Sequence, residues 1–180
     1  MDTIDRWRVA IAGFSCVVLL AAVAVLSGSD RVAKPMRING DSLGQETSES
    51  FDEYVRRATE SIASAQSNGD YIGYALVTFR PAQSAQVAGA VVGNIARVNA
   101  IQIPDNPVVG IPEPVHTSRA DQIVQQLHIH NLPADKITGV VVRDRISALA
   151  RLSHDPAVAA VEILPPDAAW NQFSVRPVRY

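Results

Sequence analysis

The sequence predicts an α+β protein in which a single N-terminal apolar helix precedes one βαββαβ sandwich. Three observations predict it. An uncharged apolar run fills residues 9–27, short β-branched runs alternate with helical periodicities from residue 50 to residue 164, and proline or Asx-Gly punctuation separates them. At 180 residues the chain has room for one ordinary domain plus appendages.

The run VAIAGFSCVVLLAAVAVLS at 9–27 carries no charge. About 19 helical residues reach roughly 28 Å, enough to cross a bilayer. Trp7 and Arg8 on one side and Arg31 on the other are the expected interface anchors. The alternative is a cleaved signal peptide, for which Ala22-Val23-Ala24 supplies a small-x-small site, but the apolar run continues past it. The expectation is therefore a signal-anchored, single-pass protein of the bacterial cytoplasmic membrane, with residues 1–8 in the cytoplasm and the remaining chain on the outer face. Cys16 is the sole cysteine and lies inside the run, which leaves the domain no disulfide or thiol and suits an oxidising compartment.

Residues 28–49 are rich in Ser, Gly and charged side chains and read as a flexible linker. A capping box of Ser50 and Glu53 opens the first helix, with Phe51, Tyr54, Val55, Ala58, Ile62 and Ala65 at helical spacing, and Asn68-Gly69 closes it. Residues 71–80 read as a strand, after which Pro81 starts a helix with a stripe of Ala85, Ala88, Val91, Val92 and Ile95. Gly89 and Gly93 lie one turn apart beside that stripe, a pattern suited to close helix packing. Residues 97–103 form the second strand. Pro104, Pro107, Pro112 and Pro114 then make an extended loop barred from a sheet interior. Ser118 and Asp121 cap another helix, residues 137–142 form the third strand, Asp144 caps a short helix, and residues 158–164 form the fourth strand. This is the element order of a ferredoxin-like sandwich, residues 50–164, with an added N-terminal helix and an inserted Pro-rich loop plus helix. Residues 165–180 are left as a C-terminal tail.

The segments Tyr74-Ala75-Leu76-Val77-Thr78-Phe79-Arg80 and Thr138-Gly139-Val140-Val141-Val142, with Leu149, Leu152, Asp155-Pro156-Ala157-Val158 and Val161-Glu162, resemble the propeptide and inhibitor domain of subtilisin-type proteases over residues 71–164. That resemblance implies a sheet that docks on a protease and a following segment, here Leu164–Tyr180, that enters the substrate cleft.

Charge and chemistry narrow the function classes. The 16 basic and 18 acidic residues nearly cancel, and no basic stripe suits a phosphate backbone, so nucleic acid is not an expected partner. No Ser sits in a nucleophile elbow, no glycine loop cradles phosphate, and no cofactor is expected. His128 and His130 are candidate metal ligands at a spacing of two, set against two surface histidines at a helix end. Glu162 is a candidate carboxylate of shifted pKa, set against an outward position on its strand. Arg56 and Arg57 read as a solvated face or a site for an acidic partner. Trp170, Phe173, Arg176, Arg179 and Tyr180 in the tail, with Pro112 and Pro114 in the loop, are the candidate partner-binding residues, because aromatics with Arg anchor interfaces. An added edge strand at 173–178 is the alternative. The sequence thus points to a non-enzymatic, membrane-tethered accessory or assembly subunit of a respiratory or secretory envelope complex. Its partners would be other complex subunits or an envelope protease, with the bilayer held through residues 9–27, and inhibition or chaperoning of a subtilisin-like protease is the alternative.

Overall fold

The computed structural model describes Trp7, residues 13–21 and residues 40–180. It has two compact units, Met1–Arg37 and Ile38–Tyr180. In the first unit residues 13–21 are helical. Among the described residues no helix is long and apolar enough to cross a membrane. That finding overturns the expected span at 9–27, and with it the signal-anchor, single-pass reading and the placement in the bacterial cytoplasmic membrane with an outward domain. The flanks of that segment, Arg8, Arg31 and residues 28–39 lie outside the described residues. Trp7 is exposed.

The second unit runs β1 (Ser42–Leu43), α1 (Phe51–Ser67), β2 (Ile72–Gln83), α2 (Ala85–Val91), β3 (Arg97–Gln102), β4 (Val109–Gly110), α3 (Arg119–Ile129), β5 (Ile137–Arg145), α4 (Ile146–Leu152), β6 (Val158–Ile163) and β7 (Ser174–Val175). Five strands form one sheet in the order β4-β3-β5-β2-β6, antiparallel at every junction. β5 lies between β2 and β3, and β2 between β5 and β6, so β2-α2-β3 and β5-α4-β6 are two interleaved split βαβ units. β1 and β7 make a separate parallel pair.

Local chemistry sets the boundaries. The Ser50–Glu53 capping box is formed in both directions and starts α1. Ser84 accepts a hydrogen bond from the amide of Val87 and starts α2, so β2 carries on through Pro81 to Gln83 instead of yielding to a helix at the proline. Ser118 caps α3 in the same way. Asp144 does not cap α4. It lies within β5, one residue before its end, and accepts from the Ala96 amide at 2.7 Å, while Asp70 reaches across to accept from the Ser147 amide at 2.8 Å in the first turn of α4.

Both faces of the sheet are covered, not one. β2 sends Ala75, Val77 and Phe79 to one core, with residues of α2, α3 and α4, and sends Leu76 to a second core with Leu43, Tyr54, Val141, Leu164 and Val178. On the first face α2 and α3 approach so closely that a Cβ on Gly89 would stand 2.8 Å from the Cα of Ala120. The second face is covered by α1, β1 and the chain after β6. Residues 42–43, expected as linker, are instead a strand whose Leu43 is fully buried, and residues 165–180, expected as a tail, fold back over the sheet. α1 runs along edge strand β6, placing Tyr54 and Ala58 in the second core and Ala65 in the first.

Candidate functional site

The described chemistry of the second face gathers around the C-terminal segment. Ser174–Val175 pairs with Ser42–Leu43, and the amide of Arg176 donates to the carbonyl of Leu43 at 2.7 Å. Buried Gln102 of β3 donates its side-chain amide to the carbonyl of Arg176 at 2.6 Å, which ties this strap to the sheet beneath it. Gly44 is needed where strap and β1 meet: its φ is +97°, and a Cβ there would lie 2.1 Å from the Arg176 carbonyl oxygen.

The aromatic residues singled out in the sequence divide into two clusters. Tyr74 of β2 stacks with Trp170 at 6.0 Å and meets Phe173 at 5.2 Å, while Trp170 and Phe173 meet edge to face at 5.7 Å. Arg143 lies 5.5 Å from the Tyr74 ring centre. Tyr180 packs edge to face on Phe51 at 5.5 Å, with Arg80 over both rings. Trp170, Phe173 and Arg176 are half-buried, and Arg179 and Tyr180 are exposed. In the loop after β4, Pro112 is exposed and Pro114 half-buried, beside a Glu113 that pairs with Arg119 at 2.9 Å.

Beside Trp170 and Phe173 an open groove of about 540 Å³ runs between the strap and the β3–β4 end of the sheet. Its lining also includes Ala100, Val108, Gly110 and Val175, and Asn171 is its one polar side chain. It is an aromatic-lined concavity of the second face. Aromatic side chains at the wall of a concavity are what a contact site uses.

A charged joint holds the other end of the strap. Glu162 is 3% exposed on β6, with Oε2 accepting from the Gly44 amide at 2.6 Å and Oε1 bonded by Arg57. Arg57 also donates to both oxygens of Glu49, at 2.8 and 2.9 Å, and to the carbonyl of Gly44 at 2.9 Å. Burial pushes the Glu162 carboxyl up, against the opposing bonds from Gly44 and Arg57. The hydrogen bonds from Arg57 hold Glu49 below the ordinary range, and Glu49 in turn raises the guanidinium. Glu162 is thus neither outward-facing nor open to a substrate, because both its oxygens are occupied by the chain itself. Arg57 is not a solvated cation; Arg56, by contrast, faces solvent beside Glu60. Tyr54 shares a 2.8 Å hydrogen bond with Thr78 beneath this joint, and burial pushes its phenol up.

His128 lies in the last turn of α3 and His130 is its C-cap, both exposed. They therefore lie on a helix end and not on an extended stretch. Among the described residues no cluster of three or more His, Cys, Asp or Glu is placed to hold a metal ion.

The Arg57–Glu162 joint escaped the sequence because its partners are 105 residues apart. A signal was present: Ala160 and Glu162 on β6 and Leu164 just after it alternate along the chain, and a carboxylate between two apolar positions of one face marks a buried charge in need of a partner. No family model, no curated protein and no solved structure matches the chain.

Proposed function

We propose that this chain is a non-catalytic accessory or assembly subunit that acts by protein–protein contact, through the face formed by its C-terminal strap and the β3–β4 end of its sheet. The open groove walled by Trp170 and Phe173 carries this reading: it sets two large aromatic side chains at the edge of a concave surface, the position from which such residues anchor a partner. Glu162, the one buried carboxylate among the described residues, supports it too, since that group serves as a joint. Inhibition or chaperoning of a subtilisin-like protease would need a free sheet face and a free tail after Leu164. Here α1 and the strap cover that face, which weighs against the alternative.

The test is a photo-crosslinking side chain placed at position 170 of the full chain, with position 125 on exposed α3 as the comparison. The expected result is a stoichiometric adduct at 170 and little at 125. Equal labelling at both positions, or a chain recovered alone with no adduct, overturns the proposal.

A further inference from the structure

The open edge of β4 has a hydrogen-bonding consequence. β4 pairs Val109 with Ile101 and Gly110 with Ala100, and the Ile111 amide donates to the Asn99 carbonyl at 2.9 Å. In an antiparallel ladder, hydrogen-bonded and non-hydrogen-bonded pairs alternate. The pairs at 109 and 111 are therefore the bonded ones, and the N–H and C=O of Gly110 point away from β3. β4 is the last strand of the sheet, Gly110 is exposed, and neither of these groups meets a partner among the described residues. The face of the sheet that carries Gly110 and Ala100 is the floor of the groove.

We propose that the β4 edge takes up an extended, uncharged peptide segment of a partner protein as a sixth strand. The segment's backbone bonds Gly110, and its alternate apolar side chains lie in the groove against Trp170 and Phe173. This names the partner's chemistry and rests on the interaction reading above. Strand addition draws affinity from the main chain and specificity from pockets for alternate side chains, and both halves are present here within one site. None of the groove's lining residues carries a charged side chain, so a charged segment would find no counter-charge there. A second copy of this chain is the poorer occupant. β4 has two residues, Pro107 stands before it and Pro112, without an N–H, after it, so the edge is too short and interrupted to zip against an identical edge. A partner that adds few backbone bonds needs the groove as well.

The experiment uses the full chain and a displayed library of peptides of about ten residues, with alternate positions restricted to Val, Ile, Thr and Phe. A Cβ at Gly110 would meet only the Asn99 carbonyl oxygen, at 4.0 Å, and its backbone is not left-handed. Gly110→Val is therefore expected to keep the fold, checked by circular dichroism, while filling the groove floor. Expected are peptides with apolar residues at alternate positions that bind Gly110→Val about tenfold or more weakly. N-methylation of one alternating set of peptide amides should abolish binding, and of the other set leave it. The proposal is overturned if no peptide is enriched over the Gly110→Val control, if both methylated sets bind alike, or if the chain dimerises with concentration and Gly110→Val makes it monomeric. If the crosslink at position 170 persists unchanged in Gly110→Val, strand addition falls while the interaction reading stands.

Discussion

The two faces of the sheet are held by different physics. On the first, α2, α3 and α4 seal a core of aliphatic side chains and Phe79, with Gly89 allowing backbone-to-backbone approach at Ala120. On the second, two short segments far apart in sequence are held by one parallel strand pair, a polar seam at Gln102, aromatic stacking and the Arg57–Glu162 joint. The seam is imperfect, since Gln102 Oε1 is buried without a hydrogen-bond partner among the described residues. An unmet buried acceptor costs about 1–3 kcal/mol. The first face is built for permanence and the second sits closer to release, as befits the side that carries the open groove.

Four experiments sharpen or break this contrast. The largest effect is expected from Leu127→Ala on the first face, where a fully buried leucine leaves a cavity; a loss of about 2–5 kcal/mol should appear as global unfolding in denaturant titration. Next is Arg57→Ala, which strands a buried carboxylate. Breaking a buried pair costs about 3–5 kcal/mol, and Arg57 keeps a third of its exposure, so about 2–3 kcal/mol is expected. The loss should fall locally, as faster exchange of the Gly44 and Arg176 amides, while the β5 amides stay protected. Pairing Arg57→Met with Glu162→Gln should recover part of it, because no unpaired charge is then buried. If β5 exchanges as fast as the strap, the faces are one cooperative unit and the contrast fails.

Gly44→Ala comes third. The left-handed backbone and the clash with Arg176 should cost about 1–2 kcal/mol, limited because the strap can detach. Smallest is the pH effect, and the two carboxylates oppose each other. Glu162 has a raised pKa, so the folded state binds the proton more readily than the unfolded chain and its contribution to stability grows as pH falls through that window. Glu49 has a lowered pKa, so its contribution is full above the ordinary value of 4.5 and is lost as pH falls through its folded value. Stability should hold or rise slightly from pH 7 downward and then drop below about pH 4.5. In Glu162→Gln the rise should vanish and the drop remain. A wild-type profile that falls steadily from pH 7 would reverse the assignment.

The first face was largely legible in the sequence. The Ser118 cap, the stripe of Ala85, Ala88 and Val92 and the run at 137–142 each act within a few residues, and local chemistry is what a sequence displays. The second face was less so, although Val140-Val141-Val142 held the hint: a run apolar at every position, without alternation, belongs to a strand covered on both sides. Read that way, the aromatic residues after Leu164 become lid as much as anchor. The joint at Glu162 depends on a pairing that only the fold creates. The apolar run at 9–27 supplied composition enough for a span, but among the described residues no helix is long and apolar enough to cross a membrane.

The two margins of the sheet are unequal. At β6 the outward amide of Ile163 is already taken by the Ser61 hydroxyl of α1, at 2.9 Å, whereas Gly110 at the far margin is bare. Open-ended stacking of sheets into filaments needs a free margin at each end of every unit. With the β6 margin taken at Ile163 by a serine, the strand addition proposed above would stop after a single step, at one partner segment per chain.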